Sequence, residues 1–165
     1  MNFGERINGV LRLKAATFEE IEADRSATGQ ALAIVIVASL ATGIGEGALF
    51  GPLRLMRETF AALVGWGMWA TVTYFFGRYV MPEPDTKTDM GELLRVIGFA
   101  YAPSLFNVFG VIPFIGELVT GIAALWALAA TIIAVRQALD YRSTLRAVCV
   151  VFIGWLVFVA IVRFG

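Results

Sequence analysis

Five apolar stretches, each close to the roughly 20 helical residues needed to cross a hydrocarbon core of about 30 Å, govern what this chain can fold into. They run from about Ala31 to Phe50, Phe60 to Val80, Leu93 to Val111, Phe114 to Val135 and Leu145 to Val162, and charged residues or prolines such as Pro82 and Pro84 separate them. Inside lipid a backbone must satisfy its own polar groups, so spans of this kind are helices. The expected fold class is all-α, a five-transmembrane-helix bundle with a short amphipathic N-terminal cytoplasmic segment. Residues 1–30 read as that segment and 31–165 as the five-span membrane domain. Composition agrees: 59% of the 165 residues are hydrophobic and 16% charged, against about 45–50% and about 25% in soluble domains.

Orientation follows from the basic residues, because Lys and Arg resist translocation. The N-terminal segment (Arg6, Arg12, Lys14, Arg25), the second loop (Arg78, Lys87, Arg95) and the fourth (Arg136, Arg142, Arg146) hold ten of the 13. The opposite side holds Arg54, Arg57 and Arg163. The N-terminus is therefore expected in the cytoplasm and the C-terminus outside. An excess of Arg over Lys and abundant Ala point to a GC-rich bacterial genome, and the expected location is a bacterial inner membrane. Acidic residues at Glu5, Glu19, Glu20, Glu22 and Asp24 argue against a cleavable signal peptide.

Two segments invite a finer reading. The connection around Gly110 to Pro113 is short and uncharged, so the third and fourth spans should form a tight hairpin, either as two full crossings or as a re-entrant pair. Pro103 should kink the third helix and Pro113 should open the fourth. Near the N-terminus Phe3, Ile7, Val10 and Leu11 recur at helical spacing around Arg6 and Arg12, which describes an amphipathic helix lying in the membrane interface or capping the bundle. Thr17 with Glu20 reads as a capping box for a second short helix.

Several chemistries are unsupported. Net charge is zero and no basic run offers a nucleic-acid footprint. There is no His, and the single cysteine, Cys149, sits in an apolar run, so disulfides and Cys/His metal sites are excluded. Without His, and with no Asp in the spans, the usual intramembrane catalytic pairs cannot be assembled, so neither an enzyme nor a cofactor is expected.

Glu46 and Glu117 are the acidic residues within the apolar spans, and such residues are functional candidates by default. Counting about 1.5 Å of rise per residue places both near the outer end, level with Asn107. Glu46, Asn107 and Glu117 therefore form a candidate polar pocket, with Arg54 or Arg57 as counter-charge, provided that the first, third and fourth spans are neighbours. The alternative is that each carboxylate snorkels separately into headgroups. Gly43, Gly47 and Gly51 repeat at four-residue spacing, as do Gly116, Thr120 and Ala124, the pattern that lets helix backbones approach within a bundle or between chains.

From Glu92 onward a run of residues carries a resemblance: Glu92-Leu93-Leu94-Arg95-Val96-Ile97-Gly98-Phe99-Ala100-Tyr101-Ala102-Pro103, then Ile112-Pro113-Phe114-Ile115-Gly116, Trp126, and Ala134-Val135-Arg136-Gln137-Ala138-Leu139. The chain resembles bacterial members of the Yip1 domain family, with Tyr101, Pro103, Pro113 and Arg136 as family-motif positions. The resemblance implies a five-helix membrane protein with a cytoplasmic N-terminal segment. Eukaryotic relatives act in vesicle trafficking with small prenylated GTPases. Here the N-terminal segment is short and their Asp-Leu-Tyr-Gly-Pro signature is missing, so that role does not carry over. The expected function is a non-catalytic membrane protein that organises membrane lipid or a partner protein, including a second copy of itself, by helix packing. The alternative is a small transporter, channel or lipid-translocating protein using the outer polar cluster. Five spans do not divide into the paired inverted repeats of many secondary transporters.

Overall fold

The computed structural model describes residues 1–46 and 51–164. Two short helices come first, α1 (Phe3–Leu11) and α2 (Ala15–Ala23), and α3 follows (Ala27–Gly45). Then come α4 (Pro52–Phe75), continued by a π-helical turn (Phe76–Val80), and α5 (Met90–Ala100), continued by a 3-10 segment (Ala102–Val111). The chain ends with α6 (Gly116–Ala138) and α7 (Thr144–Phe164). Five of these units are long and apolar enough to cross a membrane: Ala27–Gly45, Leu53–Val80, Met90–Val111, Gly116–Ala138 and Thr144–Ile161.

Local chemistry fixes most of the ends. Asn2 and Glu5 form a capping box at α1, and Asp89 and Glu92 form another at α5, each side chain accepting from the other's backbone N–H at 2.7–2.9 Å. The Thr17–Glu20 box expected from sequence does not form. α2 begins three residues earlier, with Lys14 in the N-cap place expected of Thr17, Thr17 is buried against Gly9, and Glu20 is drawn to Arg6. At Pro103 there is no N–H to continue the α-helical ladder, so the third span tightens there, with Tyr101 bonding back to Gly98 and Ser104 to Tyr101. The expected kink is thus a ten-residue 3-10 stretch. Phe114 adopts φ 70, a left-handed conformation that no helix continues, which delays α6 to Gly116.

The 3-10 segment lies between α3 and α6, α4 packs on α3 and α5, and α7 closes against α4 and α6. Small residues allow this closeness. Ala31 and Ala38 on α3, Ala100 and Ala102 on the third span, and Ala130, Ala134 and Ala138 on α6 are all buried. A Cβ on Gly98 would stand 2.8 Å from that of Ala31. In lipid, where apolar burial between helices gains little, such van der Waals contact drives association.

The α1–α2 hairpin packs on α5 and α6 through Val10, Phe18 and Ile21, which are fully buried. The Trp126 indole donates to the Leu11 carbonyl at 3.0 Å, about half-way along α6. Arg6, only 2% exposed, holds the hairpin together. It donates to both Glu20 oxygens at 2.9 and 2.7 Å, to Gln30 at 2.7 Å, and to Asp24.

Candidate functional site

Where α3 ends and α6 begins, three elements meet almost backbone to backbone. A Cβ on Gly45 would fall 1.8 Å from the Asn107 carbonyl oxygen, and one on Gly116 would fall 2.2 Å from that of Gly110. This seam puts the third span against both the first and the fourth. Beside it opens a cavity of about 350 Å³ lined by Thr42, Glu46, Asn107, Gly116, Glu117 and Thr120. The three polar residues singled out from sequence therefore face one space.

Their hydrogen bonds differ in kind. Asn107 donates from Nδ2 to the Thr42 hydroxyl at 3.0 Å, and Thr42 donates onward to the Ala38 carbonyl at 2.9 Å. The Asn107 Oδ1 atom is buried without a partner. Glu46 and Glu117 are exposed at the cavity mouth, and neither carboxylate has a hydrogen-bond or ion-pair partner among the described residues. Glu117 also occupies the first turn of α6, where the helix dipole favours an anion. The counter-charge expected from Arg54 and Arg57 goes elsewhere. Both pair with Glu58, at 3.9 and 3.0 Å.

Glu46 and Thr42 also border a second cavity of about 290 Å³ between α3 and α4, whose polar lining includes Ser39, Glu58, Tyr101 and Ser104. The polar surface therefore reaches inward as far as Tyr101. Glu58 was missing from that reading, although its position four residues after Arg54 on α4 was a usable signal. Together the two cavities offer carboxylates, hydroxyls and one orphaned amide oxygen, and no cation lines either. Such a lining suits a ligand that brings N–H or O–H donors. Among the described residues no group of three or more His, Cys, Asp and Glu is placed to hold a metal ion.

The other sequence-derived positions scatter. Gly43 borders the cavity between α3 and α4, and Gly47 lies outside the described residues. Gly51 has open space around it and a φ of +93, so its conformation at the start of α4 is what requires glycine. Tyr101 closes α5, Pro103 is buried at the onset of the 3-10 segment, Pro113 lies in the exposed turn before α6, and Arg136 lies at the far end of α6.

Residues 8–164, all but a few of the chain, match the Yip1 domain. The chain belongs to the Yip1 domain family. The match extends well upstream of Glu92, where the motif residues begin, and takes in the α1–α2 hairpin from Asn8. With five helices able to span a bilayer, this Yip1 family member is a multi-pass membrane protein. No curated protein matches the chain, and no solved structure does.

Proposed function

We propose that this Yip1 family member is a non-catalytic organiser of membrane proteins and lipid, acting through its outward helix faces. The observation that carries this reading is the closed floor beneath the outer cavities. Beneath the cavity that Val35, Tyr101 and Ser104 line, Ala31, Ile97 and Ala100 are buried apolar residues. The outward face of α6 is apolar and notched. Leu118, Ile122 and Leu125 are exposed, and a Cβ on Gly121 would meet nothing within 4 Å. A small residue on such a face lets a neighbouring helix approach closely.

Gly121→Leu tests the reading without disturbing the interior. The variant should melt like the parent in mild detergent yet lose the partner chain or second copy that the parent retains on native gels and in size-exclusion chromatography. Unchanged association would remove α6 as the organising face. The transporter, channel or lipid-translocating alternative has one observation in its favour, that Glu46, Asn107 and Glu117 share a cavity. It replaces the first reading if Glu46→Gln or Glu117→Gln lowers flux in liposomes while Gly121→Leu does not.

The reading places the protein in a bacterial inner membrane with its N-terminus in the cytoplasm, on the strength of the basic asymmetry. With Cys149 replaced, cysteines introduced at Arg54 and Arg163 should react with an impermeant maleimide on intact cells, and cysteines at Lys87 and Ser143 should not. The reverse pattern would invert the orientation.

A further inference from the structure

At the end of the bundle opposite the Glu46 cavity, α2, the end of α6 and two loops border a larger, open cleft of about 550 Å³. Its floor is built by the way α6 stops. The Tyr141 N–H reaches back to the Arg136 carbonyl and the Asp140 N–H to the Gln137 carbonyl, both at 2.9 Å, and Asp140 takes φ 53. This double back-bond is a Schellman motif, and a short polar side chain tolerates its left-handed residue. Tyr141, 3% exposed, pins the turn with its hydroxyl against the Gly77 and Met81 carbonyls at 3.0 and 2.7 Å. Facing it, α2 is fixed by Arg95, 5% exposed, whose guanidinium donates to the Glu22 carbonyl. Arg136 and Glu22 are thus presented into one cavity by anchored backbone.

Some of the polar groups here satisfy each other. Glu19 accepts from Gln137 at 2.6 Å, and Asp85 pairs with Arg142. Two groups do not. Among the described residues the Glu22 carboxylate has no hydrogen-bond or ion-pair partner, and Arg136 spends only Nε, on the Tyr141 carbonyl at 3.2 Å. The cavity therefore holds one unmatched acceptor and the open fork of a guanidinium, which do not meet. A guanidinium fork matches phosphate oxygens, and a carboxylate matches an ammonium. The lining also stands at the right level. The span of α6 ends at Ala138 and that of α7 begins at Thr144, with Arg136 to Arg142 between or beside them. Headgroups lie where crossing helices leave the hydrocarbon.

The geometry points to a binding site for the phosphoethanolamine headgroup of a membrane lipid, with its phosphate on the Arg136 guanidinium and its ammonium on the Glu22 carboxylate. The electrostatics of Glu22 agree. Burial pushes its carboxyl up to about 7, Glu92, Asp140 and Glu19 push the same way, and Arg95 opposes them. Asp85, Arg136 and Arg142 are the remaining charged groups lining the cavity. A carboxylate among carboxylates gains most from an incoming cation. A proton competes for the same place, so occupancy should fall as pH drops below about 7.

The test is lipid retention by the purified full chain, read by native mass spectrometry with phosphatidylethanolamine, phosphatidylcholine and phosphatidylglycerol of identical acyl chains. Phosphatidylethanolamine should be preferred by about ten-fold at pH 8, the worth of one charge-assisted hydrogen bond, and the preference should shrink at pH 6. Glu22→Gln, which removes an unmatched charge and should fold well, is expected to abolish the preference. Arg136→Lys keeps the charge, loses the fork and should weaken all three phospholipids. Soluble phosphoethanolamine in excess should displace the lipid. Equal retention of the three lipids by the parent chain, or an unchanged preference in folded Glu22→Gln, would overturn the proposal. Neither outcome bears on association through α6, because Gly121→Leu leaves this cavity untouched.

Discussion

Arg6→Ala should undock the α1–α2 hairpin and destabilise the protein by about 2–3 kcal/mol, because the guanidinium is buried while the carboxylates it leaves behind are about one-third exposed and can be hydrated. The size follows from what remains behind. Glu20 would lose two charge-assisted bonds, Gln30 and Asp24 one each, and the space of a 2%-exposed side chain would open. Arg6→Lys should fall between variant and parent, since an ammonium cannot present the planar fork to three acceptors. Thermal unfolding in detergent measures the loss, and limited proteolysis between α2 and α3 locates it. Unchanged melting and an uncut hairpin would mean that the clamp contributes nothing. The acid side offers an independent check. Arg6 holds the Glu20 carboxyl below its ordinary value, and hydrogen bonds from Ser26 and Arg6 hold Asp24 near about 2. Carboxyls depressed in the folded state stabilise it above their unfolded values and lose that contribution as pH falls through the folded ones. The parent should therefore weaken from about pH 4 downward, and Arg6→Ala should lose only the share that Arg6 supplies, keeping what Ser26 gives Asp24 and the N-terminal ammonium gives Glu20.

Gly45→Ala should be the most disruptive glycine-to-alanine change among the described residues. Its Cβ would lie 1.8 Å from the Asn107 carbonyl oxygen, with Gly110 Cα 3.4 Å away. These are backbone atoms, so no rotamer change relieves the clash, and α3 must separate from the 3-10 segment. Overpacking commonly costs about 1–3 kcal/mol and more where nothing can yield. Here it should open the seam that walls the Glu46–Asn107–Glu117 cavity. The control is Gly67→Ala, where a Cβ meets nothing within 4 Å and alanine favours the helix by about 1 kcal/mol. Gly67→Ala should melt at or above the parent temperature, and Gly45→Ala should melt far below it or fail to yield monodisperse protein. Equal behaviour of the two would show that the helices do not approach as described.

The contrast between these glycines marks how far a spacing rule reaches. Four-residue spacing picks out Gly43, Gly47 and Gly51 on one helix and Gly116 with Thr120 and Ala124 on another; Gly116 does stand at a close backbone approach and Gly51 meets open space, while Gly45 and Gly110, outside both repeats, also lie at close approaches. Spacing defines a face of one helix and carries no information about which face meets a neighbour. The same limit explains the Thr17–Glu20 pattern. A sequence of the right form was present, but a buried guanidinium from α1 competes for Glu20 with more strength than a neutral backbone N–H offers. The two capping boxes that did form, Asn2 with Glu5 and Asp89 with Glu92, carried an equally plain signal.

The five spans were determined by the sequence alone, because crossing hydrocarbon demands apolar length and each helix satisfies its own backbone bonds without reference to the others. The common depth of Glu46, Asn107 and Glu117 was legible for the same reason, since rise per residue is a local constant. Tertiary structure decided the rest. That the 3-10 segment packs between α3 and α6, that Arg54 and Arg57 turn to Glu58, and that Glu22 and Arg136 line one cleft from positions more than a hundred residues apart all depend on which side chains fill shared space. That is a property of packed pairs of elements, and no single segment of the chain contains it.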